Sequence, residues 1–166
     1  MSKARELSEL ADTVEVDGSG NVAFASGLHL GGTGAANLLD DYEEGTWTGT
    51  LISSSSTTYT SNLGSYLKVG NLVFVAMDFE VDNYVDGDGR IAGLPFPSAG
   101  TTSALSVAFF DSLGANVYSL FPRIDSGDNK IQFAGQQGLD NAIGNVGGAL
   151  RSNNARIIFS GTYSTA

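Results

Sequence analysis

Leu72-Val73-Phe74-Val75-Ala76-Met77-Asp78-Phe79-Glu80-Val81 begins as a continuous apolar run and then alternates apolar residues with acidic ones. A period of two, carried by β-branched and aromatic side chains, is the pattern of a strand with one face on a core and the other turned to water. The stretch predicts a central β-strand that emerges toward solvent. Similar patterns recur at 46–52, 57–60, 65–69, 89–92, 103–110, 115–124, 130–134 and 155–163, nearly all separated by turn residues. Roughly nine short strands in about 130 residues suit an all-β fold, a two-sheet β-sandwich or jelly roll.

Composition agrees. The chain has 166 residues, 42% of them hydrophobic, with 22 glycines, six tyrosines and nine phenylalanines. That is enough apolar material for one core, in a chain richer in turn and strand formers than in helix formers. The formal charge of −10, from 18 acidic and 8 basic residues, repels phosphate backbones and anionic membranes, so nucleic acid is not an expected partner. With no cysteine the chain has neither disulfides nor thiolate chemistry. No stretch approaches the roughly 20 apolar residues that a membrane-spanning helix needs, and membrane insertion is not expected. The charged residues at 2–12 are unlike a secretory signal.

Ahead of the strand-rich body, residues 1–36 read as a separate attachment and trimerisation arm, and residues 37–166 as the head domain. Residues 3–11 favour a short helix, on which Leu7, Leu10 and Val14 take the three-then-four spacing of a coiled-coil seam. A helix of about ten residues is marginal in water, so it needs sister chains or a docking partner. Val14-Glu15-Val16 and Val22-Ala23-Phe24 alternate around the turn residues Asp17-Gly18-Ser19-Gly20-Asn21, which predicts a hairpin. Two strands cannot bury Val16, Val22 and Phe24, and the arm is expected to pack on neighbours. A glycine-rich connector follows, with the lone His29 read as structural or exposed. Gly32-Thr33-Gly34 lacks the third glycine and the lysine of a phosphate loop.

Asn37-Leu38-Leu39-Asp40-Asp41-Tyr42-Glu43-Glu44-Gly45-Thr46-Trp47-Thr48 then reads as an acidic turn in which Gly45 permits an unusual backbone angle and Trp47 plugs the end of a core. Together with the preceding Gly31-Gly32-Thr33-Gly34-Ala35-Ala36, this segment resembles the one that leads into the C-terminal domain of phage tail-fibre and virion-associated proteins, particularly those of marine phages and cyanophages. Tyr66-Leu67-Lys68-Val69-Gly70-Asn71-Leu72-Val73 and Gly93-Leu94-Pro95-Phe96 fit the same pattern in the same order, and residues 1–11 look like the opening of other phage structural proteins. Gly49 departs from it, since relatives often carry proline there. The likeness covers most of the chain, but after about Phe96 no motif matches until the closing strand. It implies a homotrimer on the virion, joined through its N-terminus to other virion proteins, a tail adaptor or nozzle or the capsid. A tail fibre binding a host surface glycan is the favoured expectation; a capsid decoration protein or head fibre is the alternative. The resemblance names no receptor.

Candidate sites compete with simpler readings. Asp82, Asp86 and Asp88 offer oxygen ligands for calcium, but they lack the spacing and closing glutamate of a calcium loop, and an Asp-Gly turn accounts for them. Asp125 and Asp128 read the same way. Asp40, Asp41, Glu43 and Glu44 could supply a glycosidase pair, but adjacent carboxylates do not face each other across a sugar. No Gly-x-Ser-x-Gly elbow accompanies the single histidine. The expected function is therefore non-enzymatic, with no cofactor and no metal. Tyr59, Tyr66, Tyr84 and Tyr118 are possible sugar-stacking platforms or core residues. Residues 53–58 read as a mobile polar loop. Residues 136–154 form a second weakly patterned loop, of the kind that carries binding function.

Overall fold

The computed structural model of the chain describes residues 3–4, 9, 11–12, 14–24, 27–39, 41–114, 116–138 and 143–166. The chain divides into two compact units, Met1–Tyr42 and Glu43–Ala166.

In the first unit, β1 (Val14–Val16) and β2 (Val22–Phe24) form an antiparallel hairpin with Val16 opposite Val22. Asp17 builds its turn. The carboxylate accepts the N–H groups of Ser19 at 2.8 Å and Asn21 at 2.9 Å, and the Asn21 side-chain amide at 2.9 Å. β3 (Leu28–His29) pairs with β4 (Leu38–Leu39) around a glycine loop closed by a 3-10 turn at Ala35–Asn37. Such short pairs bury little: Val22, Phe24, Leu28 and Leu30 are exposed, and Val16 is 67% exposed. The helix expected over 3–11 falls mostly outside the described residues.

The second unit is a β-sandwich. Its strands are β5 (Tyr42–Thr48, which begins at the boundary), β6 (Thr50–Leu51), β7 (Thr58–Ser61), β8 (Leu63–Val69), β9 (Leu72–Asn83), β10 (Ile91–Ala92), β11 (Ser103–Ala104), β12 (Ser106–Asp111), β13 (Ser119–Ile124), β14 (Lys130–Gln136), β15 (Gly144–Asn145) and β16 (Arg156–Ser164). The first sheet runs β12-β16-β9-β8-β5, with β7 also on β9. The second runs β11-β13-β14-β10-β6, with β15 on β14. β9 is central, as its sequence predicts. It pairs with β16 from Leu72↔Ser164 to Glu80↔Arg156, and with β8 through a two-residue turn in which Gly70 takes φ +57°.

Alternation then sorts the side chains. Val73, Val75, Met77, Phe79 and Val81 of β9 point inward, with Ile157, Phe159 and Tyr163 of β16. Leu51, Ile91, Ile124, Ile131 and Phe133 meet them from the second sheet. Each such side chain contributes roughly 1.5–3 kcal/mol of transfer free energy on burial. Trp47 seals one flank, its indole N–H donating to the Ser65 carbonyl at 3.3 Å.

Both edges of the sandwich are made by strands that change sheets. β5 ends the first sheet, and past Gly49 the chain continues as β6 at the edge of the second. At the other side β11 of the second sheet runs through the buried Leu105 into β12 of the first. Gly49 sits where a Cβ would lie 3.0 Å from both Met77 and Ile91. Its N–H donates to the Asn62 carbonyl at 2.8 Å, a bond that proline cannot make.

Several local expectations change. The acidic residues Glu43 and Glu44 lie on β5 rather than in a turn, because pairing with β8 carries the strand back to Tyr42. Gly45 is not in the left-handed region; it is needed for space, since a Cβ there would meet the Tyr66 ring at 2.9 Å. The strand expected at 103–110 is two strands in different sheets, and the one expected at 115–124 starts at Ser119. Residues 136–154 are more than a surface loop: β15 pairs with β14, and Val146, Ala149 and Leu150 are buried in the core.

Gly64 provides a test of this packing. A Cβ there would stand 2.5 Å from the Trp47 indole nitrogen and 2.7 Å from the Ala76 carbonyl oxygen. Gly64→Ala is expected to lower stability by about 1–3 kcal/mol in urea unfolding, because backbone blocks one side of the added methyl.

Candidate functional site

Register places the loops at two opposite ends of the sandwich. The turn at Gly70-Asn71 lies at one end, where Thr165 donates to the Asn71 carbonyl and Ser98 to that of Asp128. β5 starts at this end, so the chain enters the body here, and the C-terminal strand finishes here. The other end gathers the connections around 52–57, 84–90, 112–118 and 146–154, which bond to one another.

Asp86 organises this loop end. Its carboxylate accepts the Ser55 hydroxyl at 2.8 Å, the Ser55 N–H at 3.0 Å, the Ser54 hydroxyl at 3.1 Å and the Ser56 N–H at 3.2 Å. The Thr57 hydroxyl donates to the Asp86 carbonyl at 2.7 Å and accepts the Val85 and Asp86 N–H groups at 3.1 Å. Led by the Ser55 hydroxyl, these donors hold the Asp86 carboxyl well below the usual carboxylate range. The serine tract expected to be a mobile loop is thus tied at four successive residues.

The other aspartates are similarly engaged. Asp82 accepts the Thr58 hydroxyl at 2.9 Å, and Asp88 holds Arg90 through the Arg90 N–H, Nε and Nη2. The three carboxylates do not converge. At the turn between β13 and β14 Asp125 accepts from Arg123 at 2.9 Å and Gln132 at 2.8 Å, while Asp128 pairs with Lys130 and lies within electrostatic range of Arg90. Among the described residues no three acidic or histidine side chains gather as a metal site.

Beside Asp86 lies a polar cleft of about 380 Å³, lined by Asp88, Arg90, Asn145, Gly147, Gly148 and Arg151. Gly89 makes it possible: it takes φ +79°, and a Cβ there would be 1.6 Å from the Gly147 carbonyl oxygen. Only glycine lets the two loops close this far. Arg90 is neutralised by Asp88, whereas Arg151 donates Nη2 to the Asp88 carbonyl at 2.9 Å. Arg123 and Arg156 also face carboxylates, so among the described residues Arg151 is the body's arginine bonded to a carbonyl instead. A guanidinium with spare N–H donors beside a glycine turn can receive a carboxylate or sulfate.

The sequence-derived candidates are dispersed. Leu7 and Leu10 of the expected seam lie outside the described residues, and Val14 stands on β1 opposite Phe24. Tyr59 bonds the Leu51 N–H at 2.9 Å and packs on Phe79; Tyr66 donates to Glu43 and meets Phe96 edge-on; Tyr84 donates to the Gly87 carbonyl at 3.0 Å. Tyr118, at the loop end, is exposed. Asp40 lies outside the described residues, and Glu43 is bonded to Tyr66. The Arg151 cleft went unread in the sequence because its two loops are some sixty residues apart. The local signal was Gly87–Gly89 and Gly147–Gly148, glycines that turn propensity alone explains equally well.

Compared with known protein families, curated proteins and solved structures, the chain matches none.

The Asp86 hub predicts a local effect. Asp86→Ala is expected to abolish hydrogen-exchange protection at the Ser55 and Ser56 amides while leaving β9 amides protected. Because folding lowers the Asp86 pKa, its contribution is fully present above the ordinary carboxylate range and is lost as pH falls below that range. In the wild type these two amides should therefore lose protection only under strongly acidic conditions.

Proposed function

We propose that the protein is a non-enzymatic structural component of a phage virion, a trimeric tail fibre that attaches the particle to a host surface glycan. The observation that carries this reading is the contrast between its two units. The body fills its own core from two sheets, whereas the arm leaves Val16, Val22 and Phe24 exposed on strands of three residues. An arm of that kind is stable only against neighbours, in keeping with the short helix and the Leu7, Leu10 and Val14 seam expected from the sequence and with the phage-fibre likeness of residues 31–48. It joins copies and docks on other virion proteins.

The host contact is the loop end, opposite the point where the chain enters the body. The Arg151 cleft there favours an acidic saccharide: the guanidinium takes the carboxylate, Asn145 and the glycine backbone take hydroxyls, and exposed Tyr118 lies at the same end. On a chain of charge −10, a local cation is what lets an anionic glycan approach.

Two measurements test the reading. Immuno-electron microscopy of intact particles should place the protein on the tail; label spread over the shell would favour the head-fibre alternative. A glycan array should show binding to uronic-acid saccharides that Arg151→Ala weakens about tenfold or more, the loss expected for a charge-assisted hydrogen bond. Equal binding by the variant would remove the cleft from the function.

A further inference from the structure

We propose, resting on the glycan reading above, that the Arg151 cleft is one end of a longer track, and that an acidic saccharide chain lies from it across the outward face of the second sheet to Phe121. The ligand is then an internal stretch of a linear polyuronate rather than a single terminal sugar. Register lays out the track. Phe121 of β13 lies opposite Ala134 of β14, and Ala134 lies opposite Asn145 of β15, which lines the cleft. Their neighbours Leu120, Phe133 and Val146 are buried in the core, so all three members of this row stand on the outer face. Two strand spacings put Phe121 roughly 10 Å from Asn145, further than one sugar ring reaches. A lone exposed phenylalanine is ordinary. This one, 47% exposed, ends a row whose middle member is only a methyl group and whose far member is in the cleft. A ring at the edge of so shallow a floor can take the apolar face of a pyranose.

Charge follows the same path. In the next row Arg123 lies opposite Gln132, and Lys130 stands one place further along the outer side of β14. Arg90 precedes Ile91, the partner of Ile131, and so reaches this face from the cleft side, within electrostatic range of Asp128. Arg90, Arg123, Lys130 and Arg151 are four of the chain's eight basic residues. They meet three carboxylates, Asp88, Asp125 and Asp128, each bonded to one of them. Asp86, also at the loop end, is turned to the serine tract. Four cations against three carboxylates leave the track one charge positive on a chain of −10. The outer face of the first sheet is the reverse, with Arg156 set between Asp78 and Glu80. Pairing does not exhaust the donors either: Arg123 meets Asp125 through Nε, and a guanidinium has five N–H groups. An anionic chain therefore finds its cations on this side of the body, beginning at the cleft.

Isothermal calorimetry on the full-length protein, with disaccharides and hexasaccharides cut from hyaluronate, alginate and polygalacturonate, tests the track. Phe121 and Arg123 point away from the core, so circular dichroism of Phe121→Ala and Arg123→Gln should match the wild type. For a hexasaccharide that binds, Phe121→Ala should weaken affinity about three- to tenfold, and Arg123→Gln should lower the slope of log affinity against log salt by about one. The matching disaccharide, held in the cleft alone, should bind both variants as it binds the wild type, and Arg151→Ala should weaken both lengths. Hexasaccharide binding unchanged in both variants confines the ligand to the cleft: the track falls, and the glycan reading stands. Equal loss at both lengths also ends the track, since the variants then disturb the cleft itself. If hexasaccharide binding is unchanged while Phe121→Ala lowers the protein's mass in light scattering, the face is a contact between copies and the inference falls. No binding of any of the three hexasaccharides overturns the acidic-glycan reading and the track together.

Discussion

Two strands that change sheets hold this sandwich together. At Gly49 the chain leaves the first sheet and becomes the edge of the second, and at Leu105 it returns from the second to the first on the far side. Each crossing needs a particular side-chain condition. A Cβ at Gly49 would press on the Met77 and Ile91 side chains at 3.0 Å, and Leu105 is apolar where the chain passes through the core. Gly161 leaves room for Leu105, where a Cβ would come within 2.7 Å of its side chain. The sheets are thereby joined covalently along both margins, and neither can slide without breaking a strand. Register is set between fixed edges, and the nine-residue ladder between β9 and β16 lies in the middle.

That closure has consequences for the two ends. Because β5 enters beside the Gly70-Asn71 turn and runs toward the 52–57 connection, the loops around Asp86 and Arg151 gather at the end away from the chain's point of entrance. Their backbone polar groups are satisfied internally, by Asp86 for the serine tract and by Asn145 for Gly147. A loop end tied in this way keeps the shape of its cleft without further ordering.

The same economy explains where the surplus apolar surface lies. The inner faces of the two sheets already meet and exclude water, so Phe74, Leu67 and Phe109 gain nothing from the chain's own core. The strands that carry them are the best-paired in the molecule.

Much was legible in the residues because local chemistry decides it. Alternation in β9 depends on the period of a strand, and the Asp17 turn on one carboxylate reaching its own neighbours; neither needs a distant partner. By itself the sequence determined an all-β body, its central strand, most strand positions and an arm too small to bury its valines. Only the tertiary structure decided that Gly45 and Gly49 serve space rather than backbone angle, that Leu105 divides one apparent strand between two sheets, and that residues 146–150 belong to the core. It also decided that Arg151 meets Asp88. These features arise from contacts between segments far apart in the chain, and no local period or propensity encodes which segments will meet.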